Sequence, residues 1–134
     1  MGKAFKENIT GVQHLGLPTN DIEKTIGFYK MLGFEIAYQT VNGSEKVAFL
    51  RLGNLTIETY ENKQAALKHG AWDHVALDVK DIEAAFEAAK QNGLDIIEDE
   101  IQFLPFWDNG VKFFNVIGPN NEKVEFSQFL KKNW

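Results

Sequence analysis

A short apolar-rich run, Val12–Leu17, is bounded by the turn-forming Pro18-Thr19-Asn20-Asp21, and Asp73–Val79 alternates apolar and polar positions; both read as strands. Helical spacing follows each: Ile22, Ile26, Tyr29 and Leu32 after the first, Ile82, Phe86 and Ala89 after the second. Asp21 and Asp81 stand where an N-cap belongs, and Gly33 and Gly93 where a C′ glycine ends a helix of roughly three turns. Three strand-like runs then follow each helix. They are Glu35–Val41, Lys46–Leu52 and Leu55–Tyr60 in the first half, and Asp95–Phe103, Val111–Ile117 and Lys123–Phe129 in the second. Asn42-Gly43 and Gly118-Pro119-Asn120-Asn121 supply turn signals between strands.

The two halves are copies. At an offset of 60, His14, Leu17, Asp21, Ile22, Glu23, Lys30, Gly33 and Ile36 fall on identical residues in an ungapped stretch, which makes an internal duplication the economical explanation. Phe49 and Gly53 meet Phe114 and Gly118 at 65, and Glu58 meets Glu125 at 67, so the extra residues fall in loops. The expected organisation is one α+β domain over residues 1–134, built of two tandem βαβββ modules, 9–61 and 72–130, with 62–71 as linker.

Side chains along a strand alternate between faces, so one face of each small sheet packs on its helix and the other looks away from it. His14 shares a face with Val12 and Gly16, opposite Gln13, Leu15 and Leu17; His74 stands opposite Val75, Leu77 and Val79. In the last strands Glu58 opposes Leu55, Ile57 and Thr59, and Glu125 opposes Val124 and Phe126. The duplication thus supplies two equivalent imidazoles and two equivalent carboxylates on the faces turned from the oily ones. Two nitrogens and two oxygens suit a borderline divalent ion such as Zn, Ni, Co, Mn or Fe, and on a six-coordinate ion they leave two positions for water or substrate.

Composition narrows the remaining classes. With 44% hydrophobic and 13% aromatic residues the chain has material for a core, and a net charge of -5 with no basic run longer than Lys131-Lys132 argues against nucleic acid as a partner. There is no cysteine, which removes thiolate sites, iron–sulfur clusters and cysteine nucleophiles. No apolar run approaches the roughly 20 residues that span a bilayer, and the opening MGKAFKENITG has no apolar signal region, so no membrane partner and a cytoplasmic address are expected. His69 lies in the linker without a counterpart and reads as solvated.

The openings HLGLPTNDIEKTIGFYKMLGF and HVALDVKDIEAAFEAAKQNGL, the closing GPNNEKVEF and the paired modules resemble the vicinal oxygen chelate superfamily over about residues 9 to 130. The full His, Glu, His, Glu set resembles its glyoxalase I (lactoylglutathione lyase) branch. That resemblance implies a cup-shaped mixed sheet, a homodimer with sites within one chain or across two, and a divalent metal held by His14, Glu58, His74 and Glu125. It also implies a small-molecule substrate, the adduct of a 2-oxoaldehyde such as methylglyoxal with a thiol. The adduct would be converted to a 2-hydroxyacyl thioester through an enediolate, with Glu125 or Glu58 as the catalytic base.

The pattern departs from glutathione users at Pro18, where they carry an arginine, although Asn62 matches their asparagine four residues after the first glutamate. The identity of the thiol therefore stays open. The segment Phe103-Leu104-Pro105-Phe106-Trp107-Asp108, absent from the first module, fits either a substrate wall or cover for a sheet edge or dimer contact. Arg51, the single arginine, fits an anion site or a salt bridge, and Phe129–Trp134 a structural or frayed end. Competing readings are a CoA-thioester epimerase, in which glutamine usually stands at the position of Glu58, a dioxygenase or thiol transferase with two histidines and one glutamate, and a metal-free protein that binds a drug or antibiotic.

Overall fold

A computed structural model of the chain describes residues 3–119 and 121–131. Asn120 of the expected turn and residues 132–134 of the terminal segment lie outside them. The elements run α1 (Lys3–Asn8), β1 (Ile9–Pro18), α2 (Ile22–Met31), β2 (Glu35–Asn42), β3 (Glu45–Leu52), β4 (Leu55–Tyr60), β5 (His74–Val79), α3 (Ile82–Gln91), β6 (Asp95–Ile96), β7 (Gln102–Leu104), β8 (Val111–Ile117) and β9 (Lys123–Phe129). The class is α+β. Two compact units form, one from residues 14–74 and the other from the described residues of 1–13 and 75–134.

In the unit 14–74 the strands lie in the order β2-β3-β4-β1, with β1 parallel to β4 and the other pairs antiparallel. Ile22 of α2 closes over Ala48, Leu50 and Ile57 together with Phe34, so the helix covers the oily face of the sheet. In the other unit β5-β9-β8 are neighbours, and β6 and β7 both pair antiparallel with β8. Ile82, Ala85, Phe86 and Ala89 of α3 pack there on Phe114, Val116 and Phe126.

The two helices start and stop by the same chemistry. Asp21 accepts from the Lys24 amide and Asp81 from the Ala84 amide, each from an extended backbone, which is the N-cap geometry. Gly33 and Gly93 take positive φ, and the amides of Phe34 and Leu94 reach back to Tyr29 and Ala89, closing each helix in a Schellman turn. A further shared device appears only in the structure. The Ile22 amide donates to the Glu61 carboxylate at 2.9 Å and the Ile82 amide to the Gln128 side-chain oxygen at 2.8 Å. Each bond ties the end of a module's last strand to the start of its helix, three residues beyond Glu58 and Glu125 respectively.

One expectation is corrected and one element is added. The stretch Asp95–Phe103 is not one strand: the Glu98 carboxylate takes both the backbone amide and the side-chain Nδ2 of Asn115, at 2.7 and 2.8 Å. That side chain occupies a donor on β8 that a continuing strand would have paired, so pairing lapses between β6 and β7. The helix α1 had no sequence signal, because six residues are too few to show a period. It is held by packing, with Phe5 stacked on Phe126, and by Asn8, whose side chain accepts the Lys80 and Asp81 amides and donates to the Asp81 carbonyl.

Removing the strand-to-helix ties tests their worth. Glu61→Ala should cost about 2 kcal/mol, as expected for a charge-assisted bond at a helix N-terminus, and Gln128→Ala about 1 kcal/mol, measured by denaturant unfolding. No loss in either variant would show that these bonds do not fix the strands.

Candidate metal centre

Within the unit 14–74, strand register brings the site together. β1 and β4 run parallel with Gly16 opposite Glu58, so Glu58 points to the face that carries His14 and Gly16, while Ile57 and Leu17 turn to α2. Phe49 of β3 pairs with Glu58 and meets the His14 ring edge-on at 5.6 Å. His74 opens β5, where the Asp73 amide donates to the Gly16 carbonyl at 2.7 Å and anchors the approach of its backbone. A Cβ on Gly16 would overlap the His74 imidazole, so only glycine leaves room for this ring. Tyr60 lies nearly parallel to the same ring, at 6.2 Å and 22°.

The outcome is a tight trio. His14 Nε2 and His74 Nε2 are 3.2 Å apart, and Glu58 Oε1 is 3.1 Å from the first and 3.5 Å from the second. The side chains are 4%, 8% and 14% exposed for His14, His74 and Glu58. Burial pushes the Glu58 carboxyl up, but hydrogen bonds and charge from His14 and His74 outweigh it and bring the pKa down to about 2. The circle through the three atoms has a radius of about 1.9 Å, so one ion can lie within the 2.0–2.2 Å typical of Zn–N and Zn–O bonds from all of them. Donor type and spacing both fit a borderline divalent cation.

Glu125 stands in the other unit, buried on β9 in register with Asn115 of β8, on the face opposite Val124 and Phe126. Pro18 closes β1 opposite Tyr60, and Asn62 accepts the Gln64 amide. Of the aromatic insertion, Phe103 and Leu104 lie in β7, Phe106 is buried, and Trp107 is edge-on to Phe129 of β9 at 5.6 Å. Arg51 donates to the Thr56 hydroxyl across the β3–β4 hairpin, and His69 is exposed. Gly16 and Asp73 are site residues that the sequence reading passed over. The signal for Gly16 was its place two residues after His14, on the same face of the strand.

A profile of the Glyoxalase/Bleomycin resistance protein/Dioxygenase superfamily matches residues 11–117. The chain belongs to this superfamily. Among its relatives, the uncharacterized protein YwbC of Bacillus subtilis (strain 168) is 32% identical, over 87% of this chain and 96% of that protein. The hypothetical protein BH1468 from Bacillus halodurans C-125 superposes with a TM-score of 0.72 at 25% identity, covering 92% of this chain and 96% of that one. Methylmalonyl-CoA epimerase from Mycobacterium tuberculosis superposes with a TM-score of 0.73 at 17% identity, covering 92% and 90%. The superfamily fold is therefore shared with structures of quite different sequence. Among the described residues no helix is long and apolar enough to cross a membrane.

Two predictions follow from the trio. Gly16→Ala should weaken Co(II) or Zn(II) binding by about 10–100-fold in chelator competition, by displacing His74, whereas Gly27→Ala, which meets nothing within 4 Å, should leave it unchanged. Equal affinity in Gly16→Ala would contradict the placement of His74. In the metal-free protein, a carboxylate with a folded pKa near 2 stabilises the fold above its unfolded value of about 4.3, and the contribution is lost as pH falls toward 2. Between about pH 5 and 2 the wild type should thus lose more unfolding free energy than Glu58→Gln; parallel losses would contradict the coupling.

Proposed function

We propose that the protein is a metal-dependent glyoxalase I-like enzyme that converts the hemithioacetal of a 2-oxoaldehyde and a thiol to a 2-hydroxyacyl thioester. The observation that carries this reading is the buried meeting of two imidazole nitrogens and one carboxylate oxygen at 3.1–3.5 Å, a donor set suited to a divalent cation. Glu125 is proposed as the fourth ligand. Its support is equivalence: it matches Glu58 in the duplicated sequence, and Gln128 fastens its strand as Glu61 fastens that of Glu58. A divalent cation held by these residues, one of Ni, Zn, Co, Mn or Fe, would supply Lewis acidity to the substrate.

The protein's own groups supply proton transfer. A glutamate carboxylate, Glu58 or Glu125, takes the proton from the carbon between oxygen and sulfur; the C–H pair becomes the double bond of an enediolate. The resulting carboxylic acid returns the same proton to the neighbouring carbon while the hydroxyl proton passes from the oxygen beside sulfur to the oxygen of that carbon, which leaves the 2-hydroxyacyl thioester and restores the carboxylate. His14 and His74 stay neutral throughout, as ligation requires. The low exposure of the trio limits water at the reacting carbon. Neither Pro18 nor Asn62 offers a cation for a glutathione carboxylate, so the thiol partner is open to a panel that includes glutathione, bacillithiol and coenzyme A.

Metal-reconstituted protein should form thioester from methylglyoxal with at least one of these thiols, followed by ultraviolet absorbance. Glu58→Gln and Glu125→Gln should each cut turnover, the variant lacking the base by about 100-fold or more. Epimerisation of a CoA thioester without any thioester formation would instead favour the epimerase reading, and a chain that takes up no metal would favour a small-molecule binding protein.

A further inference from the structure

Asp73 immediately precedes His74, and its Oδ2 lies 2.9 Å from His74 Nδ1. A carboxylate only accepts, so the imidazole must donate through Nδ1. In the neutral ring this leaves the lone pair on Nε2, and Nε2 is the atom that faces His14 Nε2 at 3.2 Å and Glu58 Oε1 at 3.5 Å. The opposite tautomer would put a proton where the cation belongs and set two lone pairs against each other at Asp73.

The bond is braced on the backbone side. The Asp73 amide donates to the Gly16 carbonyl, the missing Gly16 side chain leaves the ring its berth, and Tyr60 lies nearly parallel to it. Asp73 is 32% exposed against 8% for His74, so solvent screens its charge, and it acts chiefly by directing the ring. The duplicated position before His14 is Gln13, whose side-chain amide donates to the Asp78 carboxylate and the Ser127 carbonyl.

We propose that Asp73 is a positioning residue that sets the tautomer and ring orientation of His74, so that the second-module histidine presents Nε2 to the metal before the metal arrives. The inference rests on the metal-site reading above. A hydrogen-bonded carboxylate behind a ligating imidazole raises its donor strength and fixes its aim, and its loss typically weakens metal affinity by about 10–100-fold.

Long-range proton–nitrogen NMR of the metal-free protein, at a pH where the imidazoles are neutral, reads the tautomer directly. His74 should be the Nδ1–H form in the wild type and in Asp73→Asn, whose side-chain oxygen still accepts. It should shift toward the Nε2–H form in Asp73→Ala. Titration with Co(II) in chelator competition should show Asp73→Ala weakened by about 10–100-fold and Asp73→Asn by less. His74 in the Nε2–H form in the wild type overturns the proposal whether or not the variants fold, and so does unchanged Co(II) affinity in a folded Asp73→Ala. A wild type with the Nδ1–H tautomer but no Co(II) affinity would leave the orientation by Asp73 intact and remove the metal reading instead.

Discussion

Two imidazole nitrogens 3.2 Å apart, with a carboxylate oxygen 3.1 and 3.5 Å from them, need a donated proton or a cation among them. Without it, lone pairs would face one another in a place largely closed to water, at a cost that burial only raises. Either protons or a cation must fill the role. The fall of the Glu58 pKa to about 2 is the protonic version of this requirement, since the carboxylate holds its charge against burial by pairing with His14 and His74. A divalent ion meets the same requirement with one particle and no shared proton. The packing within residues 14–74 answers this constraint: Gly16 has no side chain, Phe49 closes on the His14 edge, and Tyr60 lies beside His74.

Much of that arrangement was legible from sequence because it follows from period and repetition. Strand alternation placed His14 and Glu58 on the face turned from the helix, and parallel register between β1 and β4 sets Gly16 opposite Glu58 as alternation requires. The helix limits were equally readable, since Asp21, Asp81, Gly33 and Gly93 act through local hydrogen bonds and backbone angles that a few neighbours determine. The α+β fold and the superfamily resemblance are borne out for the same reason: both rest on patterns longer than any single contact.

What escaped was decided by contacts between residues distant in sequence. Glu98 interrupts the stretch after α3 because its carboxylate reaches Asn115, a partner no local pattern announces. Asn8 ends α1 by bonding the start of α3, more than seventy positions away. Asp73 adjoins His74 in the chain, yet an aspartate at a strand entrance has many uses, and only the 2.9 Å approach to Nδ1 distinguishes this one. The duplication also concealed a difference between the modules, since position 13 is glutamine where position 73 is aspartate. The residue before each histidine therefore differs between the halves, and at His74 that residue is an aspartate in contact with the ring.

X-ray absorption spectroscopy of the Ni- or Zn-loaded protein tests the metal centre most directly. One ion per site is expected, with two imidazoles and carboxylate oxygen in its coordination sphere, and a spectrum that loses one imidazole in His74→Ala. A metal bound without imidazole scattering, or no stoichiometric metal after reconstitution with any of the candidate ions, would contradict it.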